Sequence, residues 1–360
     1  MLSTINARQL RNHPLRSAGQ QQIMVPPGTH ALRFDKCYGT ADQLEFVGSI
    51  DHLAFEGGTL PKALLFGDRM PQVLDVHFCT FPDRWSSPEG TEQVIISNCL
   101  IPADLHFSSS VQSIRLENCC LPAQGIKFPA RLEMLQLWNC QDDTELILPQ
   151  ALQQLDIDLF DGKSIPGGWQ FPQTVDTFFL NNASIPEDWH FPAVQHGLKL
   201  DNCSLPTQVV LPASIQAFKL VGMSLESGHN IRFLKQRGSK ICLMTLEGCQ
   251  LEESWQFPKH YIAAIDLVNC RLPRLIKLPD RIDSLGVYDS ALTEGTRFVG
   301  QYKWLRHITF SNCPEIHGLS TLELLSRAQS FATPTVVIFS GCHPTPSNAC
   351  PRGPHRIEMK

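Results

Sequence analysis

No stretch of this chain approaches the roughly 18 consecutive apolar residues that a membrane-spanning helix needs, so no membrane span is expected. Charge is scarce as well. Asp, Glu, Lys and Arg make up 18% of the 360 residues, so much of the backbone polarity has to be satisfied inside the fold. Positive charge is not in excess either. The formal net charge of −5 offers no bulk attraction to phosphate or anionic lipid, and nucleic acid is not an expected partner. The chain lacks a CxxC pair of the zinc-site kind, a glycine-rich phosphate loop and a G-x-S-x-G nucleophile elbow. No metal, cofactor or catalytic residue is therefore expected. Residues 1–22 carry Arg8, Arg11 and Arg16 and no acid, yet lack the apolar core of a secretory signal peptide. They read as a flexible segment, or as a targeting signal of the mitochondrial or type III secretion kind. Export by the Sec route is not expected.

Cysteine is plentiful, with 13 in the chain, and its spacing carries the main signal. Cys37, Cys79, Cys99, Cys119, Cys140, Cys203, Cys249, Cys270, Cys313 and Cys342 fall in one register, with steps near 21 residues or a multiple, a period in the range of repeat proteins. An apolar pair precedes each at fixed offsets, as in Ile114-x-Leu116-x-x-Cys119, Leu135-x-Leu137-x-x-Cys140 and Ile265-x-Leu267-x-x-Cys270. Gly58, Phe160, Ala183, Met223 and Ser290 take the same place where the cysteine is missing. The whole makes about 15 units between Leu32 and Cys342.

The composite unit, L-x-x-L-x-L-x-N-C-x-L-P followed by a half that often ends in Phe-Pro or Leu-Pro, resembles the leucine-rich repeat. The short unit and recurrent Leu-Pro resemble the repeat domains of bacterial effectors of the IpaH and YopM kind, although those usually place Asn where this chain prefers Cys. The resemblance implies a leucine-rich-repeat solenoid. Its concave face would be a curved parallel β-sheet, and its convex side would be extended or 3₁₀ with few helices. The residues support this physically. Leu135 and Leu137 alternate with Gln136 and Trp138, so one face of a short strand is core. A lone strand of that kind cannot bury its face or pair its edges, but stacked copies can. Prolines such as Pro102, Pro122 and Pro273 follow the turn and argue against a long helix in the return half. Trp169, Trp189 and Trp255, in WQFP, WHFP and WQFP, read as packing residues.

The expected organisation is a segment 1–22, a solenoid 23–342 and a C-terminal tail 343–360 with little regular structure. Two steps break the register. One contains GHNIRFLKQRGSK, the strongest local basic patch, read as a solvated loop with phosphate or an acidic partner as the alternative. The other contains GLSTLELLSRAQSFA, whose spacing suggests a helix. A weak helical signal also lies at Thr4 to Arg11.

Effectors of the IpaH kind join their repeats to a ubiquitin-ligase domain with a C-x-D motif, which Cys140-Gln141-Asp142 matches in letters. Cys140 occupies the ladder register, and no non-repeat region is long enough for that domain. The chain is thus not expected to be an enzyme. Its expected function is a protein-binding scaffold using the concave sheet, with a secreted effector acting on host proteins as the first reading. An endogenous intracellular adaptor or substrate-recognition subunit is the alternative, and a ligase the more distant one. The candidate contacts on the concave face are Arg115, Glu117, Gln136, Trp138, Asp156, Asp158, Phe179, Asn181, Lys199 and Asp201. Arg33, Asp35, Asp75, His77, Lys219, Asp266 and Tyr288 occupy the same face. Trp138 and Phe179 flank the acidic pair, a patch suited to a basic or amphipathic segment. The partner is a protein of unknown identity. A reducing cytoplasm is the expected compartment, reached in the effector reading by a non-Sec route.

Overall fold

The computed structural model describes residues 19–37, 41–67, 69–140, 145–226, 229–234, 241–253, 255–292, 296–299, 304–313, 336–342 and 356–359. The expected helices at Thr4 to Arg11 and in 318–332, and most of the GHNIRFLKQRGSK basic patch, lie outside them. The chain divides into two compact units, residues 1–160 with 165–173 and residues 161–164 with 174–360.

Each unit is a parallel β-solenoid. In the first, the strands Ala31–Cys37, His52–Thr59, Val73–Thr80, Gln93–Ser97, Ser113–Glu117, Met134–Trp138 and the 151–160 part of Ala151–Ser164 lie side by side in chain order. Their register aligns Leu32, Leu53, Leu74, Val94, Ile114, Leu135 and Leu155 in one row. Phe34, Phe55, Val76, Ile96, Leu116, Leu137 and Ile157 form a second row, and both rows are buried. A one-residue slip would turn both rows outward, so the apolar pair fixes the register. In the second unit, Thr174–Ser184, Ala193–Asp201, Ala217–Val221, Ile241–Glu247, Ile262–Val268, Ile282–Tyr288, His307–Ser311, Val336–Ser340 and Arg356–Met359 repeat the arrangement. Leu180, Leu200, Leu220, Leu246, Leu267, Val287, Phe310 and Phe339 share one row there.

The return halves are extended, and no helix occurs among the described residues. In the first unit Gly19–Met24, Ala41–Val47 and Ala63–Phe66 form a small parallel sheet of their own, as do Leu146–Ile147 and Trp169–Gln170. Three strand pairs do the same in the second unit: Gln208–Leu211 with Asn230–Phe233, Ser224–Leu225 with Gln250–Leu251, and Leu275–Lys277 with Arg297–Val299. Trp169 and Trp255 are buried in the core, against Phe171 and Phe257.

Three details differ from the sequence reading. Phe160 is not the buried residue of its coil. It is 54% exposed and left-handed (φ 52°), and Leu159 fills the core instead. Phe160, Asp161 and Gly162 are successive positive-φ residues, so the chain turns here with more residues than in neighbouring coils. Arg356–Met359, within the tail expected to lack regular structure, pairs in parallel with Val336–Ser340. Its short R-I-E-M alternation continues the register but is too brief to stand out after a proline-rich stretch. At the other end the first strand begins at Gly19, inside the segment read as flexible.

Candidate functional site

Several strands of the main sheet end in a left-handed residue followed by a buried small one. Asn98, Asn118, Asn139, Asn202 and Asn269 all have φ near +50°. Asparagine tolerates that conformation better than other side chains with a Cβ. The backbone N–H of each donates to the strand-end carbonyl of the next coil, for example Asn118 to Trp138 at 2.8 Å and Asn139 to Asp158 at 2.7 Å. The side-chain amides continue the chain of contacts, Asn139 Nδ2 donating to Asn118 Oδ1 at 2.7 Å and Asn202 Nδ2 to Asn182 Oδ1 at 2.8 Å.

The cysteines stack beside this row. Cys270 Sγ lies 3.3 Å from the Leu246 carbonyl of the preceding coil and 3.4 Å from that of Val268. Cys119, Cys140, Cys203 and Cys313 repeat the pattern. Ser290 makes the same contacts through Oγ, to Leu267 and Tyr288, and accepts the N–H of Cys270 at 3.0 Å. Burial pushes the Cys99 thiol up to about 11. The hydrogen bond shared with Cys119, followed by burial, pushes Cys140 up as well. Cys140 is therefore a buried protonated thiol, while Gln141 and Asp142 of the C-x-D match lie outside the described residues.

The expected contact residues fall into two groups. In the first unit Arg115, Gln136 and Asp156 share one cross-strand row, and Glu117, Trp138 and Asp158 share the next one alternate along the strands. Arg115 Nε donates to Gln136 Oε1 at 2.7 Å, and Gln136 Nε2 donates on to Asp156 Oδ2 at 3.4 Å. The guanidinium of Arg115 also stacks 4.5 Å above the Trp138 ring. Gln136 and Asp156 are buried, at 8% and 9% exposure, so they support the row, while Arg115, Glu117, Trp138 and Asp158 form its half-buried surface. Asp158 accepts the Phe160 N–H at 3.1 Å. In the second unit Phe179 aligns with Lys199 and Asn181 with Asp201, all half-buried, and Lys199 Nζ pairs with Asp201 Oδ2 at 2.7 Å.

The sequence reading missed partners that only the register brings in. On the first unit's sheet face, Asp75 stands between His77 (Nε2 to Oδ1, 2.6 Å) and His52 (Nε2 to Oδ2, 3.7 Å), and Arg33 bridges Asp35 and Glu56. In the second unit Gly286 leaves room for its neighbours. A Cβ there would meet Asp266 Oδ1 at 2.5 Å and the Tyr288 hydroxyl at 2.7 Å. Asp266 and Tyr288 thus close over a glycine, and burial raises the Asp266 carboxyl above its ordinary value. Pairing each strand with the next at the cysteine register would have located both clusters.

Among the described residues, no group of three or more His, Cys, Asp or Glu is arranged to hold a metal ion, and no helix is long and apolar enough to cross a membrane. No protein-family model, curated protein or solved structure matches the chain. What stands is a parallel β-solenoid.

Proposed function

We propose that this chain is a protein-binding scaffold of the leucine-rich-repeat kind, taking a segment of its partner on the exposed face of the strands. The repeat type is supported by the L-x-x-L-x-L-x-N-C pattern, in which the strand leucines, the left-handed asparagine and the buried cysteine each hold a distinct structural place. Return halves that are extended and proline-rich suit a short repeat, which leaves little room for convex helices.

The observation that carries the binding reading is the Arg115, Gln136, Asp156 row with Trp138 stacked beneath the guanidinium. Large aromatic and arginine side chains dominate interface energetics, and those already held in place lose little freedom on binding. A partner segment of alternating basic and apolar residues fits a surface of Trp138, Glu117 and Asp158. The short-repeat resemblance favours an effector delivered into a host cell, and the buried ladder thiols suit the reducing compartment such a protein works in.

Affinity capture from candidate host cells, followed by quantitative pull-down, tests this. Trp138→Ala and Asp158→Ala are each expected to weaken the captured partner about tenfold or more, as loss of a hot-spot side chain does. Unchanged retention by both variants would sink the placement. Fusion of residues 1–30 to a reporter separates a secreted effector from an adaptor of the producing cell.

A further inference from the structure

A pocket of about 600 Å³ opens in the second unit where two successive coils enter their strands. Pro258 and Pro279 fix the two corners, but the corners differ in length. Lys259, His260 and Tyr261 lie between Pro258 and Ile262, whereas only Asp280 and Arg281 lie between Pro279 and Ile282. The longer corner absorbs its extra residue through a tight bond from the His260 N–H to the Pro258 carbonyl, at 2.8 Å. The pocket is lined by both corners.

The charges around it are unbalanced. Lys259, Lys277 and Arg281 line the pocket and are exposed, and Asp280 is the one carboxylate in the lining. None of the three cations makes an ion pair among the described residues. Elsewhere on the solenoid Lys62, Lys199 and Lys219 are each paired, with Asp42, Asp201 and Glu247. Asp283, two residues beyond Arg281, is already engaged by the Tyr261 hydroxyl at 2.7 Å. Cations gathered on adjacent coils repel one another unless an anion lies between them. The walls are held firmly: Phe257 is buried against Trp255, and the His260 ring packs on Phe233 at 5.3 Å. Burial lowers the His260 value, which disfavours a further positive charge in the lining.

The geometry points to a binding pocket for the phosphate group of a small phosphorylated ligand, held by Lys259, Lys277 and Arg281. A tetrahedral dianion supplies several acceptor oxygens, matching one guanidinium fork and two ammonium groups approaching from different coils. The volume exceeds what a lone carboxylate would need and falls in the range of small-molecule sites. The pocket is independent of the sheet-face surface proposed above for the protein partner.

Titration calorimetry of the full chain with pyrophosphate tests the pocket. The wild type is expected to bind, more weakly as salt rises. Lys277→Gln and Arg281→Gln are each expected to lower affinity about tenfold, the loss of one charge-assisted hydrogen bond. Lys127→Gln, an exposed lysine of the first unit, should bind as the wild type does. Thermal unfolding checks that the variants remain folded, which their exposed positions favour. Absence of binding by the wild type overturns the proposal, as does equal affinity in the Lys277→Gln/Arg281→Gln double variant. Vesicles carrying a phosphorylated inositol lipid form the second arm: capture that free pyrophosphate displaces supports the pocket, and capture without any pyrophosphate binding overturns it.

Discussion

At the scale of single residues, the cysteine place is defined by size and by one weak donor. Ser290 already occupies it, buried at 1% exposure, with contacts equivalent to those of Cys270. Cys270→Ser should therefore change unfolding free energy by about 1 kcal/mol or less, in line with the net worth of one hydrogen bond. Cys270→Leu should lower it by about 1–3 kcal/mol, because the added atoms have no space against the neighbouring coil. Urea unfolding followed by circular dichroism distinguishes the two, and equal costs would contradict a place set by volume. Much of this was legible in the sequence. The N-C pair marked the register of the repeat, and the φ values near +50° supply the reason for the asparagine. Phe160 was not legible, because counting from the previous cysteine cannot show that a coil turns one residue later than its neighbours.

At the scale of the strand, apolar alternation gave the buried rows, but the polar faces depend on what stands in the adjacent coil. Asp266 illustrates this. Neither its own strand nor its residue type signals burial, which arises because Gly286 lets Tyr288 lean toward it. The sign of its effect follows. Its folded-state value is raised above the ordinary 3.8, so across the window from 3.8 up to that raised value the folded chain binds more proton than the unfolded one. Stability from this group is then fully present below the window and lost as pH rises through it. Asp266→Asn should flatten the fall in stability as pH rises above 3.8 relative to the wild type, because the asparagine does not titrate. Denaturant midpoints measured across that range give the comparison, and parallel curves would reject the assignment.

At the scale of the molecule, the solenoid character was legible because repetition survives even where individual units are irregular. The strand at Arg356–Met359 was not, since its alternation is too brief, nor was the pocket at Pro258 and Pro279, which depends on a local difference between coils. Nearest-neighbour stacking makes whole coils removable in principle. Val73 aligns with Gln93 and Gln93 with Ser113, so deleting Gln93–Gln112 brings Val73 opposite Ser113 in an unchanged register. That variant should keep parallel β structure and cooperative unfolding. Deleting Gln93–Pro102 removes only part of a coil and should not. Circular dichroism and thermal melts of the two proteins decide it, and similar behaviour would argue that coils are not the unit of stability.

The row of asparagines also governs how the protein ages. Asparagine side chains hydrolyse slowly to aspartate, and a single carboxylate is already accommodated where Asp289 accepts the Asn312 amide at 3.0 Å. The Asn139 side-chain amide donates one hydrogen bond to Asn118 Oδ1 at 2.7 Å. Converting either leaves an amide to face the new acid, but converting both sets two carboxylates about 4.8 Å apart with no donor between them. Conversion at one site is therefore expected to cost little, and conversion at two neighbouring sites to cost more. Asn118→Asp and Asn139→Asp, combined, should destabilise by more than the sum of the two measured alone.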